Sequence, residues 1–291
     1  MREADRDHNG SLIITLPPDT VRALAAKGER QISEAADLCR TAEAALESFP
    51  GYVRVRGLGI LPPDQLGDAL TALSALFGRL IEQDREGTVV RRVEDRGTKI
   101  GEGTRARYAD SRFGGSLHTD GAELPQPVPG RFALLCVRQA PVGGELNLVH
   151  LAQLEPRLTA AERARLRRPF HFDRRGDQDP TEAPTTEKAI LFDAGGTTGV
   201  TYLREYVELG HEHQHAPPLA SADRAALDAL DAALGADDLR LTIRLEAGEA
   251  AIFDNLRLLH GRTTFEDDQH RRRLLLRTWI QPDDRGERSS A

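Results

Sequence analysis

From about residue 88 to residue 280 the chain is a series of short apolar or alternating runs. They read TVVRRVED, RFALLCVRQ, ELNLVH, AILFDA, LRLTIRLEA, AAIFDN and RRRLLLRTWI, separated by turn residues and without a regular strand–helix–strand repeat. Such a texture excludes a doubly wound parallel sheet and predicts antiparallel sheets with helices packed outside. The expected fold class is therefore mainly β with flanking helices, a double-stranded β-helix or jelly roll. Helical periodicity is confined to about 19–47, to PPDQLGDALTALSALFGRLIEQ after the strand-like YVRVRGLGIL, and to about 151–167 and 221–234. A chain of 291 residues with 39% apolar content can fill one core, so a single domain over 1–291 is expected, with 1–49 as an N-terminal helical extension.

Charge narrows the partners. A net charge of -7 and a pI near 5.8 lack the clustered basic surface that phosphate backbones require, which excludes nucleic acid. No run of eighteen apolar residues offers a membrane span, and MREADRDHNG lacks the apolar stretch of a signal peptide. Cys39 and Cys136 form neither a disulfide framework nor a CxxC metal motif. These features predict a cytoplasmic protein whose partner is a small molecule, with self-association left open.

GGSLHTDGAE, residues 114–123, sets His118 and Asp120 two apart between glycines. In an extended segment residues i and i+2 share a face, so an imidazole nitrogen and a carboxylate oxygen can take adjacent positions on one metal ion. A third ligand would complete the two-histidine, one-carboxylate triad of non-heme Fe(II), and His260 in FDNLRLLHGRTTF supplies a candidate. A buried histidine bonded to a neighbouring aspartate is the competing reading of His118 and Asp120. Downstream, HRRRLLLRTW places Arg273 and Arg277 in an apolar run. Buried guanidiniums suit a carboxylate-bearing ligand, whereas an edge-strand charge face would account for them without one.

Taken together, LHTDGA, PVGGEL, YLREYVELG and DNLRLLHGRTTFEDDQHRRRLLLRTW resemble the TauD/TfdA-type Fe(II)/2-oxoglutarate-dependent oxygenases, over roughly residues 50–282. The resemblance implies that His118, Asp120 and His260 bind Fe(II). It further implies that Arg273, thirteen positions after His260, pairs with the distal carboxylate of 2-oxoglutarate, and that Arg277 lies near its chelating end, with Arg271 and Arg272 as alternatives to Arg273. The reaction implied consumes O2 and 2-oxoglutarate, releases succinate and CO2, and oxidises a substrate C–H bond. Related halogenases replace the carboxylate ligand with a small residue, so Asp120 favours hydroxylation, with desaturation or cyclisation open to the same chemistry. One position departs from the pattern: where relatives often carry Thr or Ser after GGE, this chain has Leu146, so the hydrogen bond comes from Asn147, from another hydroxyl such as Thr263, or is absent.

For the substrate, Arg204 in YLREYVELG, Arg112 and Glu102 are the candidate contacts. Both signs of charge suit a free amino acid or derivative of secondary metabolism; sulfonates, betaines and aryloxy acids are the alternatives within the resemblance. The polar segment 171–188 reads as a loop that could close as a lid. His211, His213 and His215 alternate in HEHQH and form a rival metal site if extended, a polar loop otherwise. Two other classes compete: a non-catalytic cupin-like sensor and a metal hydrolase. Neither requires the paired arginines.

Overall fold

The computed structural model describes residues 5–26, 40–98 and 107–283. Its larger sheet runs Ile13–Thr15, Tyr52–Arg56, Ala250–Asp254, Arg131–Arg138, Leu274–Gln281, Arg79–Ile81, with Arg91–Val93 also paired to Leu274–Gln281. Only the pairing of Ile13–Thr15 with Tyr52–Arg56 is parallel. A smaller antiparallel sheet contains Leu241–Ile243, Leu146–His150 and Leu258–Arg262.

Alternation along the central strands explains how the two sheets come together. Phe132, Leu134 and Cys136 of one strand and Leu275 and Trp279 of the next join Leu146, Leu148, Ile243 and Leu258 of the smaller sheet in one buried cluster. The alternate residues, Ala133, Leu135, Leu274, Leu276 and Ile280, face the other way into a second cluster. Helix Leu66–Ala75 covers that outer face because Leu66, Ala69, Leu70 and Leu73 recur at helical spacing. Both faces of these strands are buried, which is why they read as continuous apolar runs. Arg277 lies between Leu275 and Trp279, so the alternation carries a guanidinium to the inner face.

A third cluster gathers the helices Leu151–Leu154, Ala160–Leu166, Arg204–Glu212 and Ser221–Leu234 with strand Pro169–Asp173, which pairs with Thr185–Ala189 in a hairpin. The fold is the jelly-roll class expected. Among the described residues no helix is long and apolar enough to cross a membrane.

Local expectations fare unevenly. The N-terminal region is not only helical: Ile13–Thr15 is an edge strand of the larger sheet, with Leu12, Ile14 and Leu16 in its core, before helix Pro18–Ala25. The middle of the helix expected over 19–47 lies outside the described residues, and 40–46 are helical. Segment 171–188 is a hairpin whose irregular part is only 174–184, because Thr185 and Lys188 are buried although polar. In HEHQH, His211 lies in the last turn of helix Arg204–Glu212 and His213 is its C-cap, so neither the strand nor a simple loop is present.

Candidate active site

The segment holding His118 is not part of a regular strand, yet every residue of His118-Thr119-Asp120 is pinned by its backbone. His118 and His260 exchange N–H to carbonyl bonds of 2.9 and 2.8 Å, which adds His118 as a fourth rung beside the smaller sheet. Thr119 donates its N–H to the Tyr202 carbonyl, and its hydroxyl accepts from the Tyr202 N–H, both at 2.9 Å. The Asp120 N–H donates to Asn255 Oδ1 at 2.9 Å, while Asn255 Nδ2 donates back to the Asp120 carbonyl at 3.0 Å and to Pro129 at 2.7 Å. Gly121 then turns at φ +72, where a Cβ would lie 2.5 Å from the Pro129 ring. The glycine after Asp120 is thus explained by a turn and a close approach.

This clamp brings the ligand atoms of His118, Asp120 and His260 within 4.8 Å of one another. Burial holds both imidazoles below the ordinary histidine range, with each other's charge adding to the effect at His260. Neutral imidazole is the metal-binding form. His118 Nδ1 lies 2.9 Å from the Ser116 carbonyl, which orients the ring, and the Tyr108 ring stacks on it at 5.1 Å. Asp120 Oδ1 accepts from Arg277 Nη1 at 2.6 Å; Asp120 Oδ2 and His260 Nδ1 are buried without any partner. Buried polar atoms are rarely left unpaired, and a carboxylate oxygen beside two neutral imidazoles is a donor set that fits a divalent transition metal.

A cavity opens beside the histidines, walled by Val93, Leu134, Leu146 and Leu275 and reached by Arg262, Arg273 and Arg277. Arg277 is fixed from behind by Gln83, whose Oε1 accepts from Arg277 Nε at 2.8 Å, and stacks over Trp279 at 4.9 Å. Arg273 is 1% exposed. Its Nε donates to Gln139 at 3.2 Å and its Nη2 to the Gly144 carbonyl at 3.4 Å, leaving Nη1 unpaired. Gly144, at φ +81, permits that approach: a Cβ there would sit 2.9 Å from Arg273 Nε. Arg271 and Arg272 are exposed, so Arg273 is the member of the run that reaches the cavity.

Several expected site residues lie elsewhere. Asn147 alternates with Leu146 and so turns from the cavity, its Oδ1 accepting from Thr242 at 3.3 Å. Arg204 is held by Glu208, Asp228 and Asp231 at 2.8–3.0 Å and does not line the cavity. Arg112 is 54% exposed and packs on Phe113, with Asp95 at 3.9 Å. Glu102 lies outside the described residues. His213 is taken by Asp173 at 2.7 Å, His215 by Thr185 at 2.8 Å and His211 by the Pro217 carbonyl at 2.7 Å, so their nitrogens do not converge.

A second cavity, beyond Asp120, is lined by Arg107, Glu123, Leu203, Tyr206 and Trp279. Arg107 bonds Glu123 at 3.1 Å and pairs with Asp177 of segment 174–184, while Arg175 from the same segment lies over the Tyr206 ring at 5.4 Å. Of these, Glu123 stood in the quoted motif and Asn255 in the His260 motif, without a role. Arg107 and Gln83 had no sequence signal, because only tertiary packing brings them to the site.

A model of the taurine catabolism dioxygenase TauD, TfdA family matches residues 16–279. The chain is 28% identical over 169 residues to FR-33289 synthase of Streptomyces rubellomurinus (strain ATCC 31215), covering 52% of this chain and 47% of that protein. Over 148 residues it is 32% identical to uridine-5'-phosphate dioxygenase of Amycolatopsis sp, covering 50% and 52%. It thus spans about half the length of the curated relatives it matches. Asparagine oxygenase, solved with Fe(II), 2S,3S-3-hydroxyasparagine and succinate, superposes with a TM-score of 0.70 at 22% identity, over 92% of this chain and 93% of that one. Non-heme iron oxygenase OrfP, solved with Fe and alpha-ketoglutaric acid, gives 0.66 at 17% identity, over 96% and 97%. At these identities the two structures bear on the fold.

Proposed function

The chain belongs to the TauD/TfdA family, and from that membership we propose that it is an Fe(II)- and 2-oxoglutarate-dependent oxygenase that hydroxylates an unactivated carbon of a free amino acid or a close derivative. The observation that carries the reading is the convergence of His118, Asp120 and His260 around an unpartnered carboxylate oxygen. Fe(II) held there, with 2-oxoglutarate and O2, supplies the oxidation of a C–H bond and releases succinate and CO2. Arg277 fixes the Asp120 carboxylate so that Oδ2 alone remains for the ion. Arg273 takes the distal carboxylate of the cosubstrate through its free Nη1. The apolar wall of Val93, Leu134, Leu146 and Leu275 excludes water from the reacting centre.

The second cavity supports the substrate class. Arg107 and Glu123 put one cation and one anion beside the metal site, the pair of charges an amino acid's carboxylate and ammonium require, and they take the role expected of Arg204 and Arg112. Segment 174–184 acts as the lid, since it carries Asp177 to Arg107 and Arg175 to Tyr206. The whole is read as one catalytic domain working in the cytoplasm, where a buried free thiol such as Cys136 stays reduced.

A second reading follows from the 32% identical relative: Arg107 would equally accept a phosphate, so a nucleotide is the competing substrate. The test is a screen of amino acids, uridine 5'-phosphate, sulfonates and aryloxy acids for iron-dependent, substrate-stimulated succinate release, with mass analysis of the product. Gain of one oxygen by an amino acid supports the proposal. Stimulation by the nucleotide alone replaces the substrate class, and absence of succinate with every candidate, together with no visible charge-transfer band from anaerobic Fe(II) and 2-oxoglutarate, rejects the enzyme reading.

A further inference from the structure

Arg262 follows His260 by two residues on the same strand, so both side chains project to the cavity face, and in the ladder it stands directly opposite Leu146. Its Nη2 is occupied by the carbonyls of Tyr108 and Ser111; its Nη1 is buried and has no partner. Arg273 shows the same condition across the cavity, one buried unpaired Nη1. Both guanidiniums rest against Phe265, at 4.9 and 5.0 Å from the ring centroid. The acidic side chains whose charge reaches these two guanidiniums are already engaged: Asp95 by Arg112 and the Gly97 N–H, Asp267 by the Arg273 N–H, and Glu145 by Thr263 and Arg244.

Two cations on one ring, Arg273 buried and Arg262 half-buried, each with a buried unpaired Nη1, repel one another unless an anion lies between them. A carboxylate has two oxygens, and Arg273 offers one free nitrogen. Of the other groups near it, Leu146 is apolar, Asn147 faces away, and the Thr263 hydroxyl is saturated by the N–H groups of Gly144 and Glu145 and by the Glu145 carboxylate. Among the described residues, that leaves Arg262 Nη1.

We propose that Arg262 is a second anion contact for 2-oxoglutarate, so that its distal carboxylate is held between two arginines where the facing Leu146 supplies no hydroxyl. This rests on the cosubstrate role given to Arg273 above. The test compares two 2-oxo acids, 2-oxoglutarate and 2-oxovalerate, the second lacking the distal carboxylate. Their dissociation constants are measured anaerobically on the iron-loaded protein from the visible charge-transfer band. Arg262→Lys and Arg262→Ala should weaken 2-oxoglutarate about 10- to 100-fold, the range of one hydrogen bond to a charged group, and leave 2-oxovalerate within about twofold. Adding Leu146→Thr to Arg262→Ala should recover part of the loss for 2-oxoglutarate only. Equal weakening of both acids would show that Arg262 merely holds the Tyr108–Ser111 carbonyls, and unchanged affinity for both would remove it from the site; either overturns the proposal. Failure of the unmodified protein to bind 2-oxoglutarate would overturn the cosubstrate reading itself, and this inference with it.

Discussion

The two walls of the site treat their charges in opposite ways. On the wall built from strands Leu258–Arg262 and Leu274–Gln281 with the segments beside them, buried polar atoms are left open: Asp120 Oδ2, His260 Nδ1, Arg262 Nη1 and Arg273 Nη1. On the wall built from the flanking helices and the 169–189 hairpin, charges are mostly spent on each other, with Arg175 Nε and Gln178 Oε1 as buried atoms left without a partner. Arg107 is shared by Glu123 and Asp177, Arg204 by Glu208, Asp228 and Asp231, and His213 by Asp173. Unpaired buried groups cost stability and persist where a ligand completes them, whereas paired ones stabilise the fold with or without a ligand. The strand wall therefore reports the chemistry, and the helical wall conceals the substrate.

The sharpest way to break this contrast is to remove a group from each wall. His260→Ala should abolish the charge-transfer band with Fe(II) and 2-oxoglutarate and bring succinate release to background. Its melting temperature should fall by no more than a few degrees, because the backbone bonds to His118 do not involve the ring. Arg107→Ala should do the reverse. It strands buried Glu123 and should lower unfolding free energy by about 3–5 kcal/mol, while the band persists. Arg204→Ala should cost only about 1 kcal/mol, since Asp228 and Asp231 stay 61% and 41% exposed. Urea titration of the three variants beside the parent protein decides the matter: a stable Arg107→Ala, or an iron-binding His260→Ala, would end the distinction.

What could be read from the amino-acid sequence follows the same division. His118, Asp120, His260, Arg273 and Arg277 lie in two motifs; alternation accounts for Arg277 on the inner face, while backbone bonds to His260, Tyr202 and Asn255 bring His118 and Asp120 there. The jelly roll was legible for a related reason, since strands buried on both faces leave long apolar runs. Strand Ile13–Thr15 escaped because three residues beside a proline-led helix give no periodicity. The substrate side was not legible. Arg107, Glu123 and Asp177 come from three separate segments, so no local spacing announces them, while Arg204 sat in a suggestive motif and proved to be tied into its own helices. A charged residue in a motif says little until its partners are known.

A pH-dependent effect comes from a histidine of the smaller sheet whose Nδ1 is committed to structure while its Nε2 is buried without a partner. His150 ends the strand Leu146–His150, is 4% exposed, and its Nδ1 accepts the Ala152 N–H at 3.2 Å, capping helix Leu151–Leu154. Burial, helped by the Arg257 charge, pushes its pKa down to about 4. The unfolded chain, with an ordinary histidine near 6.5, thus binds more protons than the folded one between pH 4 and 6.5. Its stabilising contribution is complete above about pH 6.5 and is lost as the pH falls toward 4, when protonation turns the capping acceptor into a donor. His150→Asn keeps an acceptor at the cap but cannot titrate. Between pH 7 and pH 5 the parent protein should lose on the order of 2 kcal/mol more stability than this variant. Denaturant midpoints at the two pH values, with iron absent from both proteins, give the comparison directly. Parallel pH dependence would mean that His150 titrates alike in both states, and that its ring is less committed to the cap than its burial and bonding imply.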